Sequence, residues 1–134
     1  MSEEKRGLIL YRLQQAEESL ADARLLLNQG GSIRGIINRA YYGMFYSVLA
    51  LLIDMGRGSA KHSGVITLFD QYLVKSGKFP TEMSKAIHKA FDLRQMGDCR
   101  EFVDLGKEDA EETITNAEKF LREVNRYIEQ HYGE

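Results

Sequence analysis

The sequence contains no tryptophan, one proline and one cysteine among its 134 residues. One cysteine cannot form a disulfide within the chain, which is typical of proteins from a reducing compartment. With Pro80 as its single proline, the chain also lacks the turn chemistry that a many-stranded β-sandwich requires. These absences exclude a disulfide-stabilised secreted domain and favour helices over strands.

Long hydrophobic runs are absent as well. The longest uncharged stretch, residues 40–53, is too short to span a bilayer and contains three tyrosines. It therefore predicts a buried core helix and no membrane role. The N-terminus is charged and no apolar segment follows it, so the sequence predicts no signal peptide and we expect a cytoplasmic location.

The motifs of common metal and cofactor sites are also missing. The three histidines, His62, His88 and His131, are far apart in sequence, and no HExxH, CxxC or EF-hand pattern occurs. Neither a phosphate-binding P-loop nor a dinucleotide-binding glycine motif is present, and no nucleophile elbow surrounds a serine. We predict that the protein uses no metal and no cofactor.

What the sequence does contain is helical periodicity. Apolar residues recur at alternating spacings of three and four, which predicts amphipathic helices. The predicted helices cover approximately 3–28, 33–55, a shorter segment from His62 that ends before Gly77, a segment from Pro80 to Arg94, and 108–131. The chain is 43% apolar and 28% charged, which suits one domain spanning 1–134. The predicted fold is an all-α, up-and-down bundle of four long helices and a shorter one, without a sheet.

The second helix is apolar on two sides. A helix that is apolar nearly all round is buried on more than one side, and in a small bundle a partner subunit is the simplest cover for the extra face. We therefore predict a homodimer. The first face contains Ile33, Ile36, Ile37, Ala40, Met44, Val48 and Leu51, and the second contains Arg39, Tyr42, Gly43, Tyr46, Leu49, Ala50 and Ile53.

Charge is distributed unevenly along the chain. The formal net charge is −2, but residues 57–100 contain eight basic and four acidic side chains, and residues 101–134 contain four and ten. A basic middle segment is compatible with a nucleic-acid-binding surface. It is equally compatible with solvated helix faces and loops, because Lys75, Lys78, Lys85 and Lys89 have the spacing of ordinary surface lysines.

Arg94 is the most informative single residue. Helical spacing places it on the same face as four apolar residues of the fourth helix, so its guanidinium points toward the element against which that face packs. The four residues are Met83, Ile87, Ala90 and Phe91. One interpretation is an ion pair with Asp98, one turn later. The other is a polar site at a helix junction.

Such a site would form a basic, aromatic groove. We expect it to be lined, besides Arg94, by Arg39, Tyr42 and Tyr46 of the second helix and by Asp98 and Cys99 after the fourth. Metal-independent RNA cleavage by the substrate's own 2′-hydroxyl requires at least two groups. One is a guanidinium that stabilises the phosphorane, and the other is a polar group that moves a proton. The alternative is a structural hydrogen-bond network.

Three sequence blocks together resemble a known family. They are NRAYYGMFY at 38–46, KHSGV at 61–65 and LRQMGDC at 93–99. In this order and separation they are similar to small single-domain HEPN (higher eukaryote and prokaryote nucleotide-binding) proteins of an uncharacterised bacterial and archaeal branch. The resemblance implies a helical bundle that dimerises, often encoded beside a minimal nucleotidyltransferase in toxin–antitoxin-like pairs. Some members of the family are RNases.

The chain departs from the RNase pattern at one position. The resemblance implies an arginine, four intervening residues and a histidine. Arg94 matches the arginine, but Cys99 occupies the histidine position. A thiol with an ordinary pKa of about 8.5 is mostly protonated at neutral pH and substitutes poorly for imidazole. Asp98 is then the expected partner of Arg94, while His62 either supplies an imidazole through space or simply begins a helix.

Three functions remain open from the sequence. The first is a homodimeric HEPN module that binds nucleotide or RNA near Arg94 and acts with a nucleotidyltransferase partner. The second is a metal-independent endoribonuclease that uses Arg94, with Asp98 or His62 in acid–base roles. The third is a structural or oligomerisation protein in which Arg94 and Asp98 form a buried pair.

Overall fold

The computed structural model describes residues 2–96 and 105–132, and those residues form a bundle of five α-helices without a strand. The predicted all-α fold is confirmed. The helices are α1 (Glu3–Asn28), α2 (Ile33–Met55), α3 (His62–Phe69), α4 (Thr81–Met96) and α5 (Lys107–Tyr132), and a π-helical turn over Asp70–Val74 continues α3. Asp98 and Cys99 lie outside the described residues.

The first two helices form an antiparallel hairpin, as the short connection predicts. Ser32 caps α2 by accepting a hydrogen bond from the backbone N–H of Gly35 at 3.0 Å. Gly30 adopts φ of 73° in the connection, a left-handed conformation that glycine tolerates best. Lys5 Nζ lies 3.9 Å from an Asp54 carboxylate oxygen and thereby joins the beginning of α1 to the end of α2.

Helix α2 is the core of the bundle, since it contacts each of the four other helices. Among the described residues it is the one helix long and apolar enough to cross a membrane by length and composition. However, 67% of its most apolar window is buried inside the protein, which is the pattern of a core helix. Its first predicted face is buried except for the half-buried Ile33.

The segment from His62 is one continuous helical element with a change of pitch. At Asp70 the α-helix widens, and the N–H of Lys75 donates to the carbonyl of Asp70 at 2.9 Å, five residues earlier. Val65, Phe69 and Leu73 remain buried through this change. The element therefore covers α2 and α4 on one side of the bundle.

Helices α4 and α5 complete the core with the predicted apolar faces. Of the α4 face, Met83, Ile87 and Ala90 are buried and Phe91 is half-buried. Arg94 then lies in the last turn of α4, and it contacts α2. The α5 face is buried throughout and consists of Ala110, Ile114, Ala117, Leu121, Val124 and Ile128.

Candidate functional site

Arg94 reaches across from α4 to α2 and is held there by two neutral side chains. Its Nε donates to Asn38 Oδ1 at 2.8 Å, and its Nη2 donates to the hydroxyl oxygen of Tyr42 at 3.2 Å. Asn38 and Tyr42 are four residues apart on α2, so they lie one above the other and face the same guanidinium. The guanidinium carbon is also 5.3 Å and 5.2 Å from the ring centroids of Tyr41 and Tyr42, within cation–π range.

The positive charge of Arg94 has no carboxylate partner within residues 2–96 and 105–132. The side chain is half-buried, and its hydrogen-bond acceptors there are an amide and a phenol. Two of its five N–H donors are used in these bonds, and the others are not engaged by any described residue. Asp98, the carboxylate that the sequence proposes as its partner, falls outside the described residues. The described site therefore presents an uncompensated positive charge beside aromatic rings.

His62 joins this site from the first turn of α3. Its Nδ1 lies 2.9 Å from the hydroxyl oxygen of Tyr41, and its ring stacks on Phe45 with centroids 4.0 Å apart. The Tyr42 ring is perpendicular to the imidazole, and the two ring centroids are 5.6 Å apart. His62 begins α3 and also lies beside the residues that hold Arg94.

Burial and the nearby cation set the protonation of this pair. Burial lowers the pKa of His62, and the positive charge of Arg94 lowers it further, so the imidazole is neutral at pH 7. Burial raises the pKa of Tyr41, while Arg94 acts in the opposite direction and Tyr42 adds to the rise. The Tyr41 hydroxyl consequently stays protonated at physiological pH.

Arg39 and Tyr46 extend the site along α2. The Arg39 guanidinium carbon is 5.2 Å from the Tyr42 ring centroid, and the Tyr42 and Tyr46 rings are 5.5 Å apart. The side chains of Arg39 and Tyr46 are both half-buried. We call the connected set the Arg94 cluster, and it consists of Asn38, Arg39, Tyr41, Tyr42, Phe45, Tyr46, His62 and Arg94.

The structure brings five of the sequence-predicted residues into this cluster, namely Arg39, Tyr42, Tyr46, His62 and Arg94. Sequence reasoning did not assign Asn38 or Tyr41 to the site, although both occur in the first block that resembles the HEPN proteins. One signal was available for Asn38, because a lone amide on an apolar helix requires a hydrogen-bond partner. Asn38 lies four residues before Tyr42, a spacing at which two side chains on one helix face can bind the same partner.

The rest of the described surface offers less chemistry. No three His, Cys, Asp or Glu side chains among residues 2–96 and 105–132 are grouped as a metal site requires. A groove of about 470 Å³ runs between α4 and α5, and Met83, Phe120 and Lys119 are among its lining residues. It contains no member of the Arg94 cluster.

Comparisons with known proteins give a consistent result. The family model described as HEPN domain matches residues 9–127. The chain is 39% identical to a UPF0332 protein of Thermotoga maritima over 126 residues, which cover 94% of this chain and 95% of the relative. It is 31% identical to the Methanocaldococcus jannaschii protein named "Putative toxin MJ0142", over 87% of this chain and 78% of that protein. It is 32% identical to a second protein of that organism, "Putative toxin MJ0605", over 86% and 84%.

Proposed function

The chain belongs to the HEPN domain family, and from that premise we propose that it is a toxin-like HEPN module that binds single-stranded RNA at the Arg94 cluster. The names of the two Methanocaldococcus jannaschii relatives support the toxin-like role. The proposal extends to a homodimer and to a minimal nucleotidyltransferase as partner. Different observations support the binding site, the dimer and the partner.

The neutral anchoring of Arg94 is the observation that carries the RNA-binding proposal. A guanidinium whose described hydrogen-bond partners are neutral attracts phosphate, and the N–H donors that no described residue engages match phosphate oxygens. Tyr42 places an aromatic ring beside it, and Arg39 lies next to that ring. Proteins that bind single-stranded RNA stack unpaired bases on aromatic rings and bind the phosphate backbone with nearby guanidinium groups.

The homodimer is supported by the unequal burial of the second α2 face. Gly43 and Ala50 are buried within the protomer, so they are unavailable to a partner. The remaining members are half-buried and form a continuous stripe with spacings of three, four, three and four. We call it the α2 stripe, and it consists of Arg39, Tyr42, Tyr46, Leu49 and Ile53. A second copy seated on the end of this stripe formed by Tyr46, Leu49 and Ile53 would leave Arg39 and Tyr42 at the edge of the interface and bring two Arg94 clusters to one cleft.

The nucleotidyltransferase partner is supported by the family resemblance rather than by a contact of this chain. Co-expression of the full chain with a minimal nucleotidyltransferase tests this part. We expect the two proteins to co-purify through size-exclusion chromatography at matched amounts. Separate elution at micromolar concentration would remove the partner from the proposal and leave the RNA site unaffected.

A metal-independent endoribonuclease is the second candidate function. One observation favours it: a neutral imidazole, that of His62, lies in the same cluster as Arg94 and contacts Tyr41. The sequence alone leaves the proton-transfer group open between Asp98 and His62, because Cys99 occupies the expected histidine position. Binding of RNA is required for this function as well, so it is tested first.

The test is fluorescence anisotropy with a labelled, mixed-sequence single-stranded RNA that carries 2′-O-methyl groups. Methylation removes the internal nucleophile, so binding is measured without cleavage. We expect Arg94→Ala to weaken binding about tenfold or more, because a lost guanidinium–phosphate contact costs about 1–3 kcal/mol.

Arg126→Ala is the matched control for this titration. Arg126 is exposed on α5 and pairs with Glu123 one turn away, so its loss leaves the Arg94 cluster intact. We expect that variant to bind like the wild type. Equal affinity of Arg94→Ala and the wild type would overturn the proposed function.

A further inference from the structure

We propose that His62 is the general base of RNA cleavage at the Arg94 cluster and that Tyr41 is the residue that positions it. This inference rests on the proposed binding of RNA at the same cluster. It adds a catalytic residue from α3, an element that lies outside the block containing Arg94 and Cys99. Three features of His62 support it: the way its ring is fixed, its protonation state and the nitrogen that it leaves for substrate.

The imidazole ring is fixed on two sides. Stacking on Phe45 at 4.0 Å sets the plane of the ring, and the bond between Nδ1 and the Tyr41 hydroxyl at 2.9 Å sets its rotation. Phe45 and Tyr41 are buried residues of α2, so their own positions are determined by the core. Preorganisation of this kind is what a proton-transfer group requires, because geometry within hydrogen-bond reach determines its efficiency.

Nε2 is the nitrogen that remains for substrate. No described residue forms a hydrogen bond with it, whereas Nδ1 is engaged by Tyr41. A base requires a lone pair at Nε2, which corresponds to the tautomer in which Nδ1–H donates to the Tyr41 hydroxyl oxygen. Because the Tyr41 hydroxyl stays protonated, it is a neutral acceptor for this N–H.

The charges around His62 favour the form that accepts a proton. Arg94 faces it from α4, and Tyr41 and Tyr42 face it from α2, while no carboxylate contacts it within the described residues. On its own element, Lys61 and Ser63 are its exposed neighbours. A carboxylate would have stabilised the imidazolium. In its absence the neutral ring predominates at pH 7.

The reaction requires only RNA and these residues. The lone pair on Nε2 takes the proton of a ribose 2′-hydroxyl while that oxygen attacks the adjacent phosphorus. Arg94 stabilises the negative charge that develops on the phosphoryl oxygens. The bond between phosphorus and the 5′-oxygen then breaks, and the 5′-oxygen takes a proton from the imidazolium or from water. The products are a 2′,3′-cyclic phosphate and a 5′-hydroxyl, with no net gain or loss of protons or electrons.

The test compares cleavage with binding in the same variants. Single-stranded RNA with free 2′-hydroxyls is incubated with excess full-length protein and a chelator, and the ends of the products are identified. We expect the wild type to yield 2′,3′-cyclic phosphates. His62→Gln should cut at least about a hundredfold more slowly, which is the usual contribution of general base catalysis, while losing less affinity for 2′-O-methyl RNA than Arg94→Ala does.

His88→Gln is the matched control for this experiment. His88 is exposed on α4 and bonds to Asp70, away from the Arg94 cluster, so its loss should leave the cleavage rate unchanged. Cleavage by His62→Gln at the wild-type rate would overturn the assignment of His62. Wild-type protein that binds RNA and does not cut it would overturn the inference and leave the proposed function standing. Failure of the wild type to bind RNA would instead overturn the proposed function.

Tyr41→Phe tests the positioning role. The substitution keeps the ring in the core and removes the hydroxyl that holds Nδ1. We expect kcat to fall about tenfold, the effect of losing one hydrogen bond of ordinary strength, with KM unchanged. A purely structural role would instead lower the melting temperature and leave kcat of the folded fraction at the wild-type value, which would overturn the role of Tyr41.

Discussion

At the scale of single residues, Arg94 differs from an arginine in a buried ion pair. A buried pair loses about 3–5 kcal/mol when one partner is removed, because an uncompensated charge is left behind. Arg94 is half-buried and bonds to Asn38 and Tyr42, which are neutral and can rebind water when it is removed. Its described contacts therefore suit ligand binding better than stability.

This contrast gives a measurable expectation for Arg94→Ala. We expect the free energy of unfolding, measured by urea denaturation, to fall by about 1–2 kcal/mol, the contribution of hydrogen bonds to a charged group that is partly solvated. Arg126→Ala, an exposed control, should change it by less than about 0.5 kcal/mol. A loss of about 3–5 kcal/mol without any change in RNA binding would instead support the structural alternative, in which Arg94 and Asp98 form a buried pair.

The pKa of His62 depends on Arg94, and this dependence is testable by NMR titration of the imidazole protons. In the wild type we expect the pKa to lie below its ordinary value of 6.5. Arg94→Ala should raise it, because the nearby cation that opposes protonation is gone, whereas Arg94→Lys should keep it low. An identical pKa in all three proteins would contradict the proximity of the two side chains.

The same shift has a consequence for stability. Because the folded protein holds the His62 proton less tightly than the unfolded chain, protonation favours unfolding as the pH falls below about 6.5. The contribution of this residue to stability is therefore highest at neutral pH and is lost on acidification. His62→Gln should reduce the loss of stability between neutral and mildly acidic pH.

Helical spacing explains which site residues could be predicted from the sequence. Arg94 and Tyr42 were predictable because a three- and four-residue period assigns each to a helix face. Their partners were not, since periodicity gives the face of a residue and not the residue opposite it. His62 depends on how the exposed connection 56–60 returns the chain to α2, and no local pattern encodes that path. Asp98 and Cys99 fall outside the described residues and remain predictions.

At the scale of helices and turns, the boundaries were predictable where a local signal specifies them. Ser32 caps α2 and Gly56 ends it in a left-handed conformation with φ of 66°. The π-helical turn at Asp70–Val74 was not predictable. It has no residue signature in the sequence, and Phe69 and Leu73 stay buried through it. Local chemistry determines the ends of helices, whereas packing determines their pitch.

Gly43 provides a test of the α1–α2 packing. A Cβ at this position would lie 3.4 Å from the carbonyl oxygen of Ala16 and 3.6 Å from the Cβ of Leu20, so α1 passes directly over it. Gly43→Leu should therefore lower the free energy of unfolding by about 1–3 kcal/mol through overpacking.

Gly7→Leu is the matched control for that substitution, because a Cβ at Gly7 of α1 meets nothing within 4 Å. Leucine has the higher helix propensity, so this variant should be as stable as the wild type or more stable by up to about 0.8 kcal/mol. Equal effects of the two substitutions in thermal or urea denaturation would contradict the close approach of α1 to α2.

At the scale of the whole molecule, the uneven charge is partly neutralised by the fold. The acidic α5 pairs with its neighbours, since Glu112 lies 2.7 Å from Lys89 of α4 and Glu118 lies 2.7 Å from Arg24 of α1. Exposed pairs of this kind contribute little to stability. Of the basic middle segment, they neutralise Lys89, whereas Arg24 lies outside that segment.

The α2 stripe gives a prediction about assembly. Tyr46→Glu places a charge in the middle of the half-buried stripe, so the proposed homodimer should dissociate to a folded monomer in sedimentation velocity. Tyr72→Glu is the control, since Tyr72 is also a half-buried tyrosine but lies in the π-helical turn under Arg57. We expect Tyr72→Glu to remain dimeric. A wild-type protein that is monomeric, or a Tyr46→Glu protein that stays dimeric, would contradict this interface.

The most direct test of the RNA site is an NMR titration of the full chain with single-stranded 2′-O-methyl RNA. The signals to follow are the side-chain N–H groups of Arg94 and Asn38 and the ring of His62, with Arg24 and Arg126 as distant references. We predict that the first three shift saturably and that the two references stay in place. Shifts confined to α5, or no shift of Arg94 at saturating RNA, would contradict the assignment of the Arg94 cluster as the binding site.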